Sequence, residues 1–392
     1  MRTVKLSKTG IAKLRSSNFE MKISDFDNSI KSLGPGEWVK VQDDTGLYLS
    51  FMNPLVDERQ TCCYVVKKLD SDDKVSVIEF IHQKIKSARD YRLEFSQFKN
   101  GRIFYGGSDG LPGFIIDEYQ NAIVIQINTA GLDNFRLEIK KFLEELSQKK
   151  SYFLDNPKYR EREVLPMFEA DTIPNLLVSE NDLEYIVLNK SLQKVGFYFD
   201  HRDNRLQLTH ILRGLRKTFV RGLDLYSYVG AWGVTALSSG VERMIFVDQG
   251  NFNENITQNL KLNGLENRGE FVRSDVYHFL DELIKTGDKT DLILSDPPAF
   301  AKSFQQKHQA LDGYSKLHRK VLKIISPGGL ACFSSCTHYV TDDEFQKTIL
   351  DSASKEGRSL RLIYSGHQGY DHPVNSKSDK ANYIKSYFYI VE

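Results

Sequence analysis

From about residue 190 to the C-terminus, apolar runs of strand length alternate with stretches of helical periodicity. No other feature constrains the fold as much, because parallel strands need crossover connections and a helix is the usual one. Strands are predicted at 219–224, 244–248, 270–274, 292–295, 330–334, 360–364 and 387–391. Helices fall between them, for example at 309–325 before the turn Ser326-Pro327-Gly328-Gly329. The expected architecture is α/β: a doubly wound sheet of seven strands, the last a candidate for antiparallel pairing. Ligands bind such sheets outside the carboxyl ends of the strands. The residues that end each run are therefore the ones to inspect.

The preceding 190 residues read differently. Up to about residue 75, short strand-like runs are broken by Gly34-Pro35-Gly36, Asp43-Asp44-Thr45-Gly46 and Asn53-Pro54, as in a small β-barrel. A helix follows, with Val77, Ile81, Ile85 and Ala88 on one face. Strands at 103–105, 114–117 and 122–127 and a helix at 134–149 then suggest an α+β middle domain. The Gly-rich turn between the first two, Gly106-Gly107-Ser108-Asp109-Gly110-Leu111-Pro112-Gly113, has no helix directly behind it, so backbone geometry explains it better than a phosphate cradle. The expected division is 1–75, 76–190 and 191–392, within the range of domains that 392 residues imply.

Composition narrows the partners. A net charge of +1 gives no global field toward an acidic polymer. Between 190 and 221, however, Lys190, Lys194, Arg202, Arg205, Arg213, Arg216, Lys217 and Arg221 face only Asp200 and Asp203. That stretch suits phosphate contacts, and a solvated helix face fits it equally well. Four cysteines are too sparse for a disulfide framework and lack zinc-ligand spacing, so no metal is expected. The first residues lack the apolar core of a signal peptide, and no apolar run is long enough to span a membrane. A cytosolic (cytoplasmic) location is expected.

Two strand ends carry the candidate chemistry. The run Asp291-Leu292-Ile293-Leu294-Ser295 ends in Asp296-Pro297-Pro298-Ala299-Phe300, and Gly329-Leu330-Ala331-Cys332-Phe333-Ser334-Ser335 delivers Cys336, 40 residues beyond Asp296. If these strands are neighbours, an acid and a thiol meet at one sheet edge. Cytosine C5 is a poor nucleophile in the resting ring; a thiolate added at C6 makes it reactive, with an acid near N3 or the exocyclic group. Cys332, inside its strand, reads as a small buried hydrophobe. An Asp-Pro-Pro-aromatic turn has a second use, holding an exocyclic amino group while the aromatic ring stacks on the base; an amino- or ring-nitrogen-directed methyltransferase would need no cysteine. Cys336 favours carbon.

The cofactor side lies at the earlier strand ends. Asp224-Leu225-Tyr226-Ser227-Tyr228-Val229-Gly230-Ala231-Trp232-Gly233 forms a strand-to-helix junction in which Gly230 and Gly233 permit a tight turn and close approach. Asp248 ends the second strand, 24 residues after Asp224, where an acid can accept from ribose hydroxyls; Asp275 ends the third, within reach of an adenine amino group. Each acid alone fits a helix N-cap. Together, without G-x-G-x-x-G or G-x-x-x-x-G-K-[ST], they point to S-adenosylmethionine more readily than to NAD or ATP.

These residues lie in blocks that resemble a known family. The blocks are 108–113, then Gly196-Phe197-Tyr198-Phe199-Asp200-His201-Arg202-Asp203-Asn204-Arg205, then Ser227-Tyr228-Val229-Gly230, Asp296-Pro297-Pro298, Ser335-Cys336-Thr337 and Asp371-His372-Pro373-Val374. In this order they are similar to the PUA-domain-containing ribosomal RNA large-subunit methyltransferase I family, which makes 5-methylcytosine in 23S rRNA. The resemblance implies an N-terminal PUA-like barrel that docks RNA, a middle domain, and a C-terminal Rossmann-like methyltransferase domain using S-adenosylmethionine. It places Cys336 as nucleophile and Asp296 as its partner at the base, with the Asp-Pro-Pro-x-Phe turn (Pro297, Pro298, Phe300) beside the substrate. It puts block 196–205 beside the cofactor and substrate, with Phe199 and Arg202 at the cofactor along with Asp224, Tyr226, Ser227, Gly230, Gly233, Asp248 and Asp275. Members of the family can form a homodimer. The chain departs from the pattern at Val229, Trp232 and Thr337, where Thr, Phe and Ser are usual.

Overall fold

Short strands closed by side-chain-stabilised turns build the first part of the chain. The computed structural model describes residues 1–27, 30, 32–70, 75–192, 196–375 and 381–392. They fall into two units, Met1–Pro174 and Asn175–Glu392. In the first, β1 (Thr3–Lys5), β2 (Glu20–Met21), β3 (Glu37–Asp43), β4 (Gly46–Met52) and β5 (Cys63–Leu69) form one sheet in the order β1-β3-β4-β5-β2, with α1 (Lys8–Arg15) between the first two strands. The hairpin expected at 43–46 closes on Asp43, whose Oδ1 accepts from Thr45 N at 2.7 Å and Gly46 N at 2.9 Å. An antiparallel bridge, Leu6↔Phe26, joins the segments that follow the two edge strands.

The helix expected after residue 75 is α2 (Val77–Leu93), which buries Ile81, Ile85 and Ala88. The strands β6 (Gly101–Tyr105), β7 (Phe114–Glu118), β8 (Ile123–Ile127) and β9 (Ser151–Phe153) pair in sequence order. The last pair is parallel, and α3 (Ala130–Asp133) and α4 (Arg136–Ser147) make its crossover. The unit also contains α5 (Pro157–Arg162). The Gly-rich turn is held by Asp109, which takes a bidentate pair of bonds from Arg92 at 2.7 Å and accepts from Tyr105 N at 2.6 Å. The boundary expected near residue 75 does not separate two cores: Trp38, Leu49 and Phe51 of the first sheet pack in one cluster with Ile81, Ile85, Ile103, Phe104 and Phe114.

The second unit starts earlier than the sequence suggested, with the hairpin β10 (Leu176–Glu180) and β11 (Leu183–Val187). Then come α6 (Arg202–Gly214), β12 (Arg221–Leu225), α7 (Ala231–Ser238), β13 (Arg243–Asp248), α8 (Asn253–Leu262), β14 (Gly269–Arg273) and α9 (Val276–Thr286). The rest is β15 (Thr290–Ser295), α10 (Lys307–Ile324), β16 (Ile325–Ser335), α11 (Asp342–Lys355), β17 (Leu360–Gly366) and β18 (Lys385–Val391). One seven-stranded sheet results, in the order β14-β13-β12-β15-β16-β18-β17. Only β18 runs against its neighbours. Leu292, Ile293 and Leu294 are all buried, as expected of a strand covered on both faces. The chain leaves β12 toward β13 and returns to β15 on its other side, which opens a crevice at the carboxyl ends of β12 and β15.

An asparagine ladder ties the hairpin to this sheet. On α8, Asn255, Asn259 and Asn263 recur every four residues and so share one helical face. Their Oδ1 atoms accept from Leu188 N (2.9 Å), Ile186 N (2.7 Å) and Glu184 N (3.1 Å), while Asn255 and Asn263 donate back to the carbonyls of Ile186 and Glu184. The helix thus serves as a partner strand for the free edge of β11. The remaining Nδ2 of Asn259 donates to Val229 O at 2.8 Å, anchoring the β12–α7 junction.

Candidate active site

Strands β15 and β16 are parallel neighbours, with Ser295 paired to Phe333, so their carboxyl ends meet. Cys336 Sγ lies 3.8 Å from Pro297 O, and the thiol therefore touches the Asp296-Pro297-Pro298 turn. Cys336 is half-buried, whereas Cys62, Cys63 and Cys332 are buried. Burial pushes the Cys332 thiol up to about 12, in keeping with its reading as a core residue. Tyr198 and Tyr314 are within electrostatic reach of both Cys336 and Asp296. Pro298 is exposed at the turn, and Phe300 stacks on Tyr314 with centroids 4.6 Å apart.

Asp296 is held by two groups that sequence reading left unassigned. Trp232 Nε1 donates to Oδ2 at 3.2 Å, and His201 Nε2 lies 3.4 Å from Oδ1. The histidine is itself oriented. Asn204 donates from Nδ2 to His367 O (2.9 Å) and accepts at Oδ1 from Tyr364 (3.2 Å), which fixes its amide. Its Nδ2 also faces His201 Nδ1 at 3.1 Å, so in the neutral ring Nδ1 accepts and the proton sits on Nε2, toward Asp296. Burial opposes charge on His201, but the Asp296 carboxylate outweighs it and holds the imidazole above its usual range. A second group missed from sequence is Lys385, buried at the start of β18, whose Nζ donates to Thr337 O at 2.8 Å; burial draws it below the usual lysine value.

The β12–α7 loop, where the sequence predicts the cofactor, is strained. Tyr226, Tyr228 and Gly230 have φ of +62°, +48° and +83°, in the left-handed region that costs non-glycine residues about 1–3 kcal/mol each. The loop is fixed by Ser227 N to Val247 O (3.1 Å) and Tyr228 N to Asp248 Oδ2 (3.0 Å). Asp248 also accepts from Gly250 N at 2.8 Å. The Tyr226 hydroxyl and Ser227 Oγ are buried without a hydrogen-bond partner. A side chain at Gly233 would collide with the Phe246 ring, so glycine is required where α7 crosses β13. Asp224 is buried and accepts from Gly233 N at 2.8 Å, and burial pushes its carboxyl far above the usual range; it braces the loop from behind. Asp275 is exposed and caps α9 through His278 N at 3.1 Å.

Block 196–205 begins at the site and then turns inward. Phe199 is buried against Phe197, and the Arg202 guanidinium lies over its ring at 5.3 Å. Arg202 Nη1 donates to the Tyr370 hydroxyl at 2.7 Å, while its Nε lies near Asp371 (3.5 Å) and Glu180 (3.9 Å). Arg205 pairs bidentately with Glu180 at 2.6 and 2.9 Å. Two residues of the basic stretch at 190–221, Arg202 and Arg205, are buried inside the fold, and Lys190 pairs with Glu254 at the surface. Lys194 lies outside the described residues. Arg213 and Arg216 are exposed.

A fold of this order is shared with solved methyltransferases. A structure described as SMU.776, a putative methyltransferase complexed with SAH, superposes with a TM-score of 0.78 at 20% identity, covering 100% of both chains. A putative SAM-dependent methyltransferase from Streptococcus mutans gives 0.76, also at 20% and full coverage. The fold is that of the S-adenosylmethionine-dependent methyltransferases. A family described as conserved hypothetical protein 95 matches residues 208–330. In sequence, the chain is 31% identical over 362 residues, 90% of either chain, to ribosomal RNA large subunit methyltransferase I of Serratia proteamaculans. It matches the protein of that name from Yersinia pseudotuberculosis serotype O:1b to the same extent. The chain belongs to the ribosomal RNA large subunit methyltransferase I family.

Proposed function

We propose that this chain methylates C5 of a cytosine in the RNA of the large ribosomal subunit (23S rRNA), with S-adenosylmethionine as methyl donor and Cys336 as nucleophile. The observation that carries the reading is the approach of Cys336 Sγ to Pro297 O at 3.8 Å, which joins the thiol to the Asp296 turn. An enzyme acting on an amino group has no use for that thiol. Family membership supports the ribosomal substrate.

The junction after β12 suits the cofactor. Its buried, unpartnered Tyr226 and Ser227 hydroxyls, its left-handed turn and the partly exposed Asp248 carboxylate are what a nucleoside with ribose hydroxyls would engage. Tyr226, Ser227, Gly230 and Asp248 would hold it, with Asp275 toward the adenine, while Asp224 and Gly233 shape the loop. Bound there, S-adenosylmethionine supplies an electrophilic methyl group.

The protein's own residues do the rest. Cys336 Sγ, as thiolate, forms a bond to C6 of the base while the Asp296 carboxyl, protonated when the base binds, gives its proton to N3 and is left as the carboxylate, so that electron density rises at C5. Trp232 and His201 keep the Asp296 carboxyl aimed at that edge. Once C5 carries the methyl group, a base removes the C5 proton, the C6–Sγ bond breaks to return the thiolate, and the N3 proton goes back to Asp296. Pro298 and Phe300 line the substrate side. The first unit, read as a PUA-like barrel with its companion sheet, would dock the RNA, and the target base must leave its stack at a cost of a few kcal/mol.

The test is methyl transfer from labelled S-adenosylmethionine to modification-free large-subunit rRNA, with the product nucleoside identified by mass spectrometry. The expected product is 5-methylcytidine. A methylated adenine or guanine instead would transfer the Asp296-Pro297-Pro298 turn to nitrogen chemistry.

A further inference from the structure

The thiol chemistry proposed above needs negative charge on Sγ, and the fold places a buried ammonium beside it. Lys385 opens β18 directly opposite Ser335 in the β16–β18 ladder. It is 3% exposed, and its Nζ donates to Thr337 O at 2.8 Å and Tyr383 O at 3.2 Å. Lys385 thus brackets Cys336: its backbone pairs with the preceding residue and its ammonium binds the following one. The lysine and the thiol are electrostatically coupled.

An apolar side chain would fill a buried strand position as well, and burying an ammonium costs several kcal/mol unless charge compensates it. Two neutral carbonyls compensate poorly. Among the described residues Lys385 forms no ion pair; the carboxylates that face it are Asp342 and Glu344 at the start of α11, and Glu344 is already paired with Lys307 at 2.5 Å. On the thiol side the facing groups include Tyr198 and Tyr314, and the Tyr314 hydroxyl is bonded to Ser335 Oγ at 2.9 Å. Asp342 and the thiol both favour the charge on Lys385, Asp342 the more strongly, and the thiol is the one adjoining Thr337 O, to which Nζ is bonded.

We propose that Lys385 is the positioning residue that stabilises the Cys336 thiolate, holding the nucleophile charged before the base arrives. This rests on the reading of Cys336 as nucleophile. The thiol proton leaves to water, and Lys385 remains an ammonium throughout.

Iodoacetamide labelling of Cys336 as a function of pH tests this on the full chain, with the Cys336 peptide followed by mass spectrometry. In the wild type the labelling midpoint should fall below the ordinary thiol value of about 8.5. Lys385→Met and Lys385→Gln should raise it by about one unit or more, slowing labelling at neutral pH by about tenfold, and Lys385→Arg should keep it low. Gln retains a donor for Thr337 O, so a Gln variant that labels like the wild type would reduce Lys385 to a backbone clamp and overturn the proposal. Should the variants not fold, the wild-type profile decides alone: a midpoint at or above about 8.5 overturns it. Labelling needs neither methyl donor nor RNA. A low midpoint in an enzyme that methylates no cytosine would therefore sink the proposed function while leaving the lysine–thiolate pair intact.

Discussion

Asp296 Oδ2 accepts the indole N–H of Trp232, and its Oδ1 lies 3.4 Å from His201 Nε2 without a hydrogen bond between them. A hydrogen bond to a charged group contributes about 1.5–3 kcal/mol when buried, and less here because the Asp296 side chain is 23% exposed. Trp232→Phe keeps an aromatic ring, and restores the residue usual in the family, but deletes the donor. Its expected effect is a fall in kcat of about tenfold, equivalent to about 1.4 kcal/mol, with KM for the methyl donor little changed. Steady-state kinetics would show this; an unchanged kcat would mean that His201 alone orients the acid. At this scale the sequence was informative where chemistry and strand ends coincide, as at Asp296 and Cys336. It named His201 and Trp232 within their blocks but not their partner, and it was silent on Lys385, which reaches Thr337 only through an antiparallel register that no local pattern encodes.

Helix α8 shows how an element can act on the site without touching it. Its asparagine face satisfies the backbone of β11 and, through Asn259, the carbonyl of Val229 in the β12–α7 loop. Asn259→Ala would leave Val229 O buried and Ile186 N partly buried without partners, at up to about 1–3 kcal/mol for each group. Urea unfolding should show a loss of about 2–4 kcal/mol, where a surface asparagine would show almost none. A loss under about 0.5 kcal/mol would mean that water replaces the side chain. The three asparagines stand in the sequence at helical spacing, but that pattern does not distinguish a buried ladder from a solvated face. The hairpin they bind fell within the expected middle domain, 76–190, where no strands were expected beyond residue 127. The parallel strands were legible for the opposite reason, being continuous apolar runs such as Leu292-Ile293-Leu294 that suit only the centre of a covered sheet.

For the whole molecule, the sequence indicated the catalytic unit well and the first unit less so. Strand order in the second unit follows from right-handed crossovers and a single switch point, so seven apolar runs nearly dictate it. In the first unit, Trp38 and Phe51 share a core with α2 and the second sheet, a long-range packing that turn signals at 43–46 and 106–113 do not report. The central claim is that the second unit brings a thiol and an acid to one sheet edge for attack on a pyrimidine ring. Its most direct test is incubation of the full chain with S-adenosylmethionine and target rRNA carrying 5-fluorocytidine, whose C5 fluorine cannot leave as a proton does. Denaturing gels and peptide mass spectrometry then read the product. The account predicts a stable protein–RNA adduct through Cys336 that is absent in Cys336→Ala. Methylation by the wild type without any adduct, or an adduct that persists in the variant, would contradict it.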